Sequence, residues 1–237
     1  MRGVGCLLLL IATGVAIWWF GSRFVRDHPQ DVPWTKLSLT QPIGRFTGRK
    51  VAGLSEDTAL CRSLLEQAGS RAVSASSRRD GPQCGYDDGM RLAEPDLVYD
   101  PAGPVTSCPV AAGLFILERQ VIQPAARRRF GTEVARVVHA GSYSCRRLYN
   151  RSEGAFSEHA TADAFDVLGF VLDDGRRISV LKDWSTPGDK AAFLRDVRDG
   201  ACSLFATVLS PDYNRAHADH LHLDQAQRGA GGWRACR

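Results

Sequence analysis

The sequence predicts an α+β domain on a mainly antiparallel sheet that helices cover and disulfides stabilise. Three observations support this fold class. The pattern after residue 54 runs in the order helix, hairpins, helix and strand. Six cysteines lie beyond the N-terminal segment. Hydrophobic residues make up 44% of the chain and charged residues 24%, which is ordinary for a globular protein.

The N-terminal segment has the features of a membrane span. Residues 3–21 read GVGCLLLLIATGVAIWWFG and contain no charged side chain. A helix of this length would span about 28 Å, close to the ~30 Å hydrocarbon core of a bilayer. Trp18, Trp19 and Phe20 stand where an interfacial aromatic belt would lie. Because no small-residue cleavage site follows, we predict an uncleaved transmembrane signal anchor over residues 1–26.

The segment after the anchor is punctuated by proline and glycine. We interpret residues 27–54 as a spacer that lifts a domain over residues 55–237 off the membrane. The domain is predicted to begin with a helix from Ser55, its N-cap, to Gly69, its stop. A second helix is predicted over residues 109–130.

The second half of the chain alternates between strand and helix patterns. The second helix should break before Pro124. Two hairpins are then predicted, one around Ala140-Gly141 and a stronger one around Asp174-Gly175. Helical spacing returns after Pro187, and the segment HADHLHLD at 217–224 alternates as a strand.

Cysteine usage indicates an oxidising compartment. The count beyond the anchor is even, the spacings are wide and no CxxC occurs, which favours three disulfides over a zinc ribbon. With the anchor, this predicts a single-pass inner-membrane protein whose domain lies in the periplasm. Buried free thiols remain the alternative for some of these residues. The pairing we favour is Cys61–Cys84, Cys108–Cys145 and Cys202–Cys236.

The charge distribution limits the classes of partner. The formal net charge of +4 comes from arginines spread along the chain. This excess fits an anionic polymer surface such as cell wall, and a solvated surface explains it equally well. No combined aromatic and basic pattern points to nucleic acid, so we predict no nucleic-acid partner.

Four of the six histidines lie in two short segments, SEHATADAFD at 157–166 and HADHLHLD at 217–224. Zinc prefers imidazole nitrogen and carboxylate ligands, and a catalytic site keeps one position for water. His159 and Asp166 could supply two ligands. His220 and His222 would share a strand face about 6.6 Å apart, so that one ligates while the other acts as a base. The alternatives are scattered surface histidines, or a partly stacked core pair at 220 and 222.

The first segment resembles the SxHxxxxAxD pattern of the hedgehog/D-Ala-D-Ala-peptidase group of zinc enzymes. Ser157, His159 and Asp166 match it, and Ala164 stands at the small position. This resemblance implies the fold of that group, Zn²⁺ as cofactor, and His159 and Asp166 as two of its ligands.

The second segment is similar to the HxH branch of the same group, which includes lysostaphin-like and penicillin-insensitive murein endopeptidases. The resemblance implies His222 as the third ligand, His220 as the catalytic histidine and His217 as a helper on the substrate side. The Glu-x-x-His of the carboxypeptidases is absent, because Asp219 stands three residues before His222. Endopeptidase chemistry is therefore favoured over carboxypeptidase chemistry.

A closer resemblance covers about residues 55–237. Its motifs are CPVAAGL, VIQPAARRRFG, GSYSCR, SEHATADAFDVLGF, ISVLKDW and PDYNRAHADHLHLD. Together they resemble the bacterial extensin-like C-terminal domain family, which implies fold and zinc ligands more than a substrate.

GSYSCRR is similar to a substrate-facing strand of the peptidase group. Arg146 is thus predicted to pair a substrate carboxylate, with Ser157 beside it, although Arg146 could equally be a solvated strand residue.

These observations predict a zinc-dependent hydrolase of amide bonds in peptidoglycan peptides. The alternative is a non-catalytic wall-binding or envelope-scaffold domain with a structural zinc. The fourth coordination position separates the two, because a structural site would be closed by a further protein ligand such as His220. The sequence gives no indication of protein partners.

Overall fold

The computed structural model describes residues 2–93, 97–228 and 233–237, with the side chains of residues 2–4 and 7 left out. The helices are α1 Arg2–Asp27, α2 Thr47–Ala52, α3 Thr58–Gln67, α4 Cys108–Leu117, α5 Gln123–Phe130, α6 Val180–Asp183 and α7 Asp189–Cys202. The strands are β1 Val73–Ser74, β2 Arg78–Gly81, β3 Cys84–Tyr86, β4 Met90–Arg91, β5 Val98–Asp100, β6 Val105–Thr106, β7 Val134–Gly141, β8 Ala164–Leu172, β9 Arg177–Ser179, β10 Thr207–Leu209, β11 Leu221–Asp224 and β12 Ala235–Cys236.

The main sheet has seven strands in the order β12-β10-β11-β8-β7-β5, with β9 also paired to β8. The pairs around the long central strand β8 are antiparallel, and the parallel pairs, β10 with β12 and β5 with β7, lie towards the two edges. The predicted α+β class with a mainly antiparallel sheet is therefore confirmed.

The two faces of the central strands differ in chemistry. Phe165 and Leu223 lie directly opposite each other on β8 and β11, and both belong to the buried core. That core also contains α4, whose ten residues are all buried. Because side chains alternate along a strand, the next opposed pair, Asp166 and His222, lies on the other face. The helix-covered side of the sheet thus holds the core, and the other side is left for polar chemistry.

Helix α1 contains an apolar stretch over Leu8–Asp27, with a mean hydropathy of 1.6, that is long enough to cross a membrane. The segment that follows does not form a spacer along its whole length. Leu39, Val51 and Leu54 belong to the core of the domain. The Gln120 side chain binds this segment, donating to the Gln41 carbonyl at 2.7 Å and accepting from the Ile43 amide at 2.9 Å. One of its glycines, Gly48, is buried within α2, where an added Cβ would meet the Arg234 side chain.

All six cysteines beyond α1 form disulfides, as predicted, but two of the three predicted pairings are wrong. Cys202–Cys236 joins α7 to β12 as expected. The other bridges are Cys61–Cys108 and Cys84–Cys145, in place of Cys61–Cys84 and Cys108–Cys145. The prediction joined neighbours in sequence, whereas α3 packs across the start of α4 and β3 lies against the chain after β7. The disulfides indicate an oxidising compartment.

Several local predictions also need correction. The N-cap of α3 is Asp57, whose carboxylate accepts from the Leu60 amide, and not Ser55. The hairpin around Ala140-Gly141 is absent, because β7 pairs with β8 far along the chain. The Asp174-Gly175 hairpin joins β8 to β9 as predicted. The predicted strand over 217–224 is shortened to Leu221–Asp224.

A buried polar contact joins α4 to the chain that precedes β8. Ser107 is the N-cap of α4, and its hydroxyl lies 2.5 Å from a carboxylate oxygen of Asp163. Burial raises the pKa of Asp163 to about 8, against the opposing effect of the Ser107 hydrogen bond, and nearby carboxylates such as Glu158 add to the rise. Asp163 is therefore mostly protonated near neutral pH in the folded protein.

The cysteine pairing can be checked on the full chain. Thiol labelling of the denatured, non-reduced protein should modify Cys6 alone, because the other cysteines are bridged. Peptide mapping should recover Cys61–Cys108 and Cys84–Cys145. Recovery of a Cys61–Cys84 peptide, or extensive labelling before reduction, would contradict this assignment.

The raised pKa of Asp163 predicts a pH-dependent stability. Its pKa in the folded protein lies above the ordinary value of 3.8, so folding takes up a proton. This contribution is fully present below about pH 4 and is lost as the pH rises through about 8. Asp163→Asn cannot titrate, so its free energy of unfolding should fall less over this range, by on the order of a few kcal/mol.

Urea unfolding of the detergent-solubilised chain at several pH values measures this difference. Asp173→Asn is the control, because Asp173 is exposed on the turn after β8. The control should follow the wild type across the range. A parallel pH profile for Asp163→Asn and wild type would show that Asp163 does not take up the proton.

Candidate metal centre

Three side chains are brought together by two strands and one turn. Asp166 and His222 face each other across β8 and β11. His159 lies on a 3₁₀ turn over Glu158–Thr161, which ends at Ala162 in a left-handed conformation with φ of 57°. That conformation returns the chain into β8, so His159 reaches over the first residues of the strand.

The potential ligand atoms of these three residues lie close together. His159 Nε2 is 3.1 Å from Asp166 Oδ2 and 3.2 Å from His222 Nδ1. His222 Nδ1 is 2.8 Å from Asp166 Oδ1. All three side chains are buried, and the group could hold a metal ion. The predicted ligands His159, Asp166 and His222 therefore come together as one cluster.

The second nitrogen of each ring is held by a group that can only accept a hydrogen bond. His159 Nδ1 lies 2.6 Å from the Ser142 carbonyl oxygen, so Nδ1 carries the hydrogen. His222 Nε2 lies 3.0 Å from Asp224 Oδ2 and donates to it. Neutral rings in these tautomers direct the lone pairs of His159 Nε2 and His222 Nδ1 towards Asp166. The geometry therefore gathers three acceptor atoms around one point.

In the metal-free chain a proton can supply the positive charge that such a cluster needs. Burial opposes charge on His222, but hydrogen bonds to Asp166 and Asp224 prevail and raise its pKa to about 9. Burial likewise opposes charge on Asp166, yet the contacts with His159 and His222 hold the pKa of its carboxyl far below the usual range. The cluster thus favours an ionised carboxylate beside a cation.

His220 lies beside the cluster without joining it. Its Nδ1 is 2.8 Å from Asp219 Oδ1, a carboxylate that accepts the hydrogen bond. Its Nε2 faces Asp166 Oδ1 at 3.6 Å, which is too long for a hydrogen bond. Asp219 therefore fixes the tautomer that leaves the His220 Nε2 lone pair towards the cluster. An Asp immediately before a His is the sequence signal for this pair.

His217 forms part of the same wall. Its Nδ1 lies 2.8 Å from the Asn214 side-chain oxygen, and its ring centroid is 5.1 Å from that of His220. Burial, then the neighbouring His220 and His222, lower its pKa to about 4. His217 is consequently neutral at physiological pH and offers Nε2 to the cavity.

The cluster opens into a cavity of about 420 Å³. Arg146 lines this cavity, as do Tyr149 and Tyr213, so Arg146 is placed where a ligand could reach it. Ser157 also borders it, but Ser157 is buried and its hydroxyl accepts from the His159 amide at 3.4 Å. The structure therefore gives Ser157 a capping contact with the ligand turn in addition to its place on the wall.

Two partners of the histidines differ in how far the sequence reveals them. Asp224 stands two residues after His222, and strand alternation alone predicts that it shares the same face. The Ser142 carbonyl is a backbone group, so no residue type marks it. The Ser142 hydroxyl further bonds the Ala162 and Ala164 carbonyls at 3.0 and 2.6 Å, which ties this loop to the start of β8.

Comparison with known proteins identifies the family but adds no close relative. No curated protein and no solved structure matches the chain. The resemblance to the hedgehog/D-Ala-D-Ala-peptidase group therefore stays a prediction. One family model, described as the extensin-like protein C-terminus, matches residues 59–237. Since that match covers most of the chain, the protein belongs to the family of extensin-like protein C-termini.

Proposed function

We propose that the chain is a zinc-dependent hydrolase of peptide bonds in bacterial peptidoglycan, of the endopeptidase type. The observation that carries the proposal is the convergence of His159 Nε2, an Asp166 oxygen and His222 Nδ1 on one point. The N-terminal helix would hold the domain at the inner membrane, facing the periplasm. The resemblance of both histidine segments to murein endopeptidases supports this choice of substrate.

The donor set fits zinc in chemistry and spacing. Tetrahedral zinc with bonds of about 2.0–2.1 Å to nitrogen and oxygen places its ligand atoms ~3.3 Å apart. The two ring nitrogens lie 3.2 Å apart, slightly shorter than that edge, and each faces its own oxygen of the Asp166 carboxylate, His222 Nδ1 at 2.8 Å from Oδ1 and His159 Nε2 at 3.1 Å from Oδ2. The partners of the outer ring nitrogens, a carbonyl and a carboxylate, are those that ligating histidines usually have.

The remaining residues have roles that suit amide hydrolysis. When bound, zinc would polarise the scissile carbonyl and acidify a water molecule. His220 would accept a proton from that water through Nε2, while Asp219 holds its ring and stabilises the imidazolium. Neutral His217, whose Nδ1 donates to the Asn214 side-chain oxygen, could accept a hydrogen bond through Nε2 on the substrate side. Arg146 would bind a carboxylate of the stem peptide.

The competing function is a non-catalytic scaffold with a closed zinc site. This alternative is supported by the short distance of 3.6 Å between His220 Nε2 and Asp166 Oδ1, because a small rotation of the His220 side chain could make it a fourth ligand. The hydrogen bond of His220 to Asp219 fits both functions, because ligating histidines and catalytic bases are both held by such carboxylates. The two functions differ in what removal of His220 does to zinc.

Two alanine variants separate ligand from base. His222→Ala removes one of three protein ligands, so zinc and activity should be lost together. His220→Ala should keep near-stoichiometric zinc but slow hydrolysis by roughly 10²–10⁴, the usual contribution of a positioned base. The measurements are zinc content by elemental analysis and mass identification of products from purified peptidoglycan.

The same pair of variants decides between the two functions. Loss of zinc from His220→Ala as complete as from His222→Ala would make His220 a ligand and favour the scaffold. A zinc-loaded wild type that releases no peptide fragments from peptidoglycan would reject the hydrolase proposal.

Asp224 supplies a further test, because it holds His222 without being a ligand itself. Asp224→Asn keeps the shape but removes the charge that accepts from His222 Nε2. We expect zinc affinity to drop about 10–100-fold, as for other outer partners of metal ligands. Competition with a chromophoric chelator measures the affinity, and Asp212→Asn, a carboxylate bonded to Trp184 instead, is the control. Equal zinc affinities for Asp224→Asn and the wild type would show that Asp224 does not contribute to zinc binding.

A further inference from the structure

A groove continues from the metal centre along strand β10. The cavity at the centre shares Thr207, Leu209 and Arg228 with a second cavity of about 540 Å³. The second cavity in turn shares Arg228 and Trp233 with a third of about 320 Å³. Shared walls make the three cavities adjoin, so a ligand much longer than the metal centre could lie across them.

The far part of this groove is rich in guanidinium groups. Arg49, Arg228 and Arg234 line the third cavity together with the Trp233 indole, and Glu56 is the one carboxylate among the described lining residues. Small residues of α2 and of the chain around β10 form its floor, including Ala52. We call Arg49, Arg228, Trp233 and Arg234 the cationic groove.

Among the described residues the cations of this groove form no ion pair with a carboxylate, and Arg228 donates to the Thr207 hydroxyl, a neutral partner. Ion pairs among the described residues occupy other arginines, such as Arg127, Arg136 and Arg176. Arg234 donates to the Phe205 carbonyl at 2.7 Å, a neutral partner, and burial lowers its pKa.

The remaining members of the cationic groove face solvent. Arg228 lies over the Trp233 ring at 5.1 Å, and the indole is 58% exposed. Positive charge with an exposed aromatic face suits a carboxylate-bearing chain that also has less polar parts.

We propose that the cationic groove binds a second stretch of the anionic wall polymer, through carboxylates of its stem peptides, while the metal centre holds the bond to be cut. This inference rests on the proposed function, because it names the polymer as the substrate of the same site. A cleft lined by one sign of charge concentrates a ligand of the opposite sign, and two linked contacts bind more tightly than one. The groove therefore selects intact polymer over free fragments.

Sedimentation of the detergent-solubilised full chain with purified sacculi tests the proposal. All chains carry His220→Ala, so that no digestion disturbs the binding. Arg49→Glu should weaken binding by about tenfold, and Trp233→Ala by about threefold or more, because each removes a groove contact at the rim. Arg177→Glu is the matched control, since Arg177 is exposed on β9 outside the groove. It should change binding less than about twofold.

A chemical arm examines the ligand. Sacculi whose carboxylates have been converted to amides should bind the chain about as weakly as native sacculi bind Arg49→Glu, to within about twofold. Equal weakening by Arg49→Glu and Arg177→Glu would reduce the effect to net charge and overturn the proposal. Undiminished binding to amidated sacculi would overturn it as well.

Binding and turnover fail separately. If the zinc-loaded wild type releases no peptides, yet Arg49→Glu weakens binding to sacculi more than Arg177→Glu does, the hydrolase proposal is rejected and the groove proposal is supported. If peptides are released but Arg49→Glu and Arg177→Glu bind sacculi equally well, the hydrolase proposal is supported and the groove proposal is rejected. Thermal unfolding midpoints of all variants verify that the fold is intact.

Discussion

The structure is organised around the buried cluster of hydrogen-bond acceptor atoms from His159, Asp166 and His222. Lone pairs of His159 and His222 point at an ionised Asp166, and Asp224 adds a second carboxylate behind His222. Unpaired acceptors in a buried site are costly, so such an arrangement persists only with a positive charge among them. A proton on His222 meets this requirement in the metal-free chain, and the proposed zinc would meet it when bound.

The rest of the fold serves to hold these atoms in position. Strand alternation places Phe165 and Leu223 in the core, and this burial fixes the register that puts Asp166 opposite His222. A shift of one residue in the register between β8 and β11 would place polar side chains of the site in the hydrophobic core. The loop after β7 supplies the Ser142 contacts, and Cys84–Cys145 ties that loop to β3.

Features of the fold that are determined by residues close together in the sequence could be predicted, and features that depend on tertiary packing could not. The Asp174-Gly175 hairpin and helix α7 follow from turn chemistry and apolar spacing, and the alternation around His222 gives its face. Two of the three disulfide pairings could not be predicted, because they depend on α3 crossing α4 and on β3 packing beside Cys145. The role of residues 32–54 was likewise hidden, since glycine and proline punctuate surface turns as well as linkers.

The position of Gln120 bears on how far the domain could travel from a bilayer. Its side chain fastens Gln41 and Ile43, and the chain is already packed at Pro29–Asp31, a 3₁₀ turn whose Gln30 carbonyl accepts from the Phe46 amide. His28 alone therefore separates Asp27 at the end of α1 from the packed part of the chain, a link that reaches about 7 Å when fully extended. An anchored domain would therefore sweep a shallow layer next to the lipid, and material deeper in the envelope would have to come within that layer to meet it.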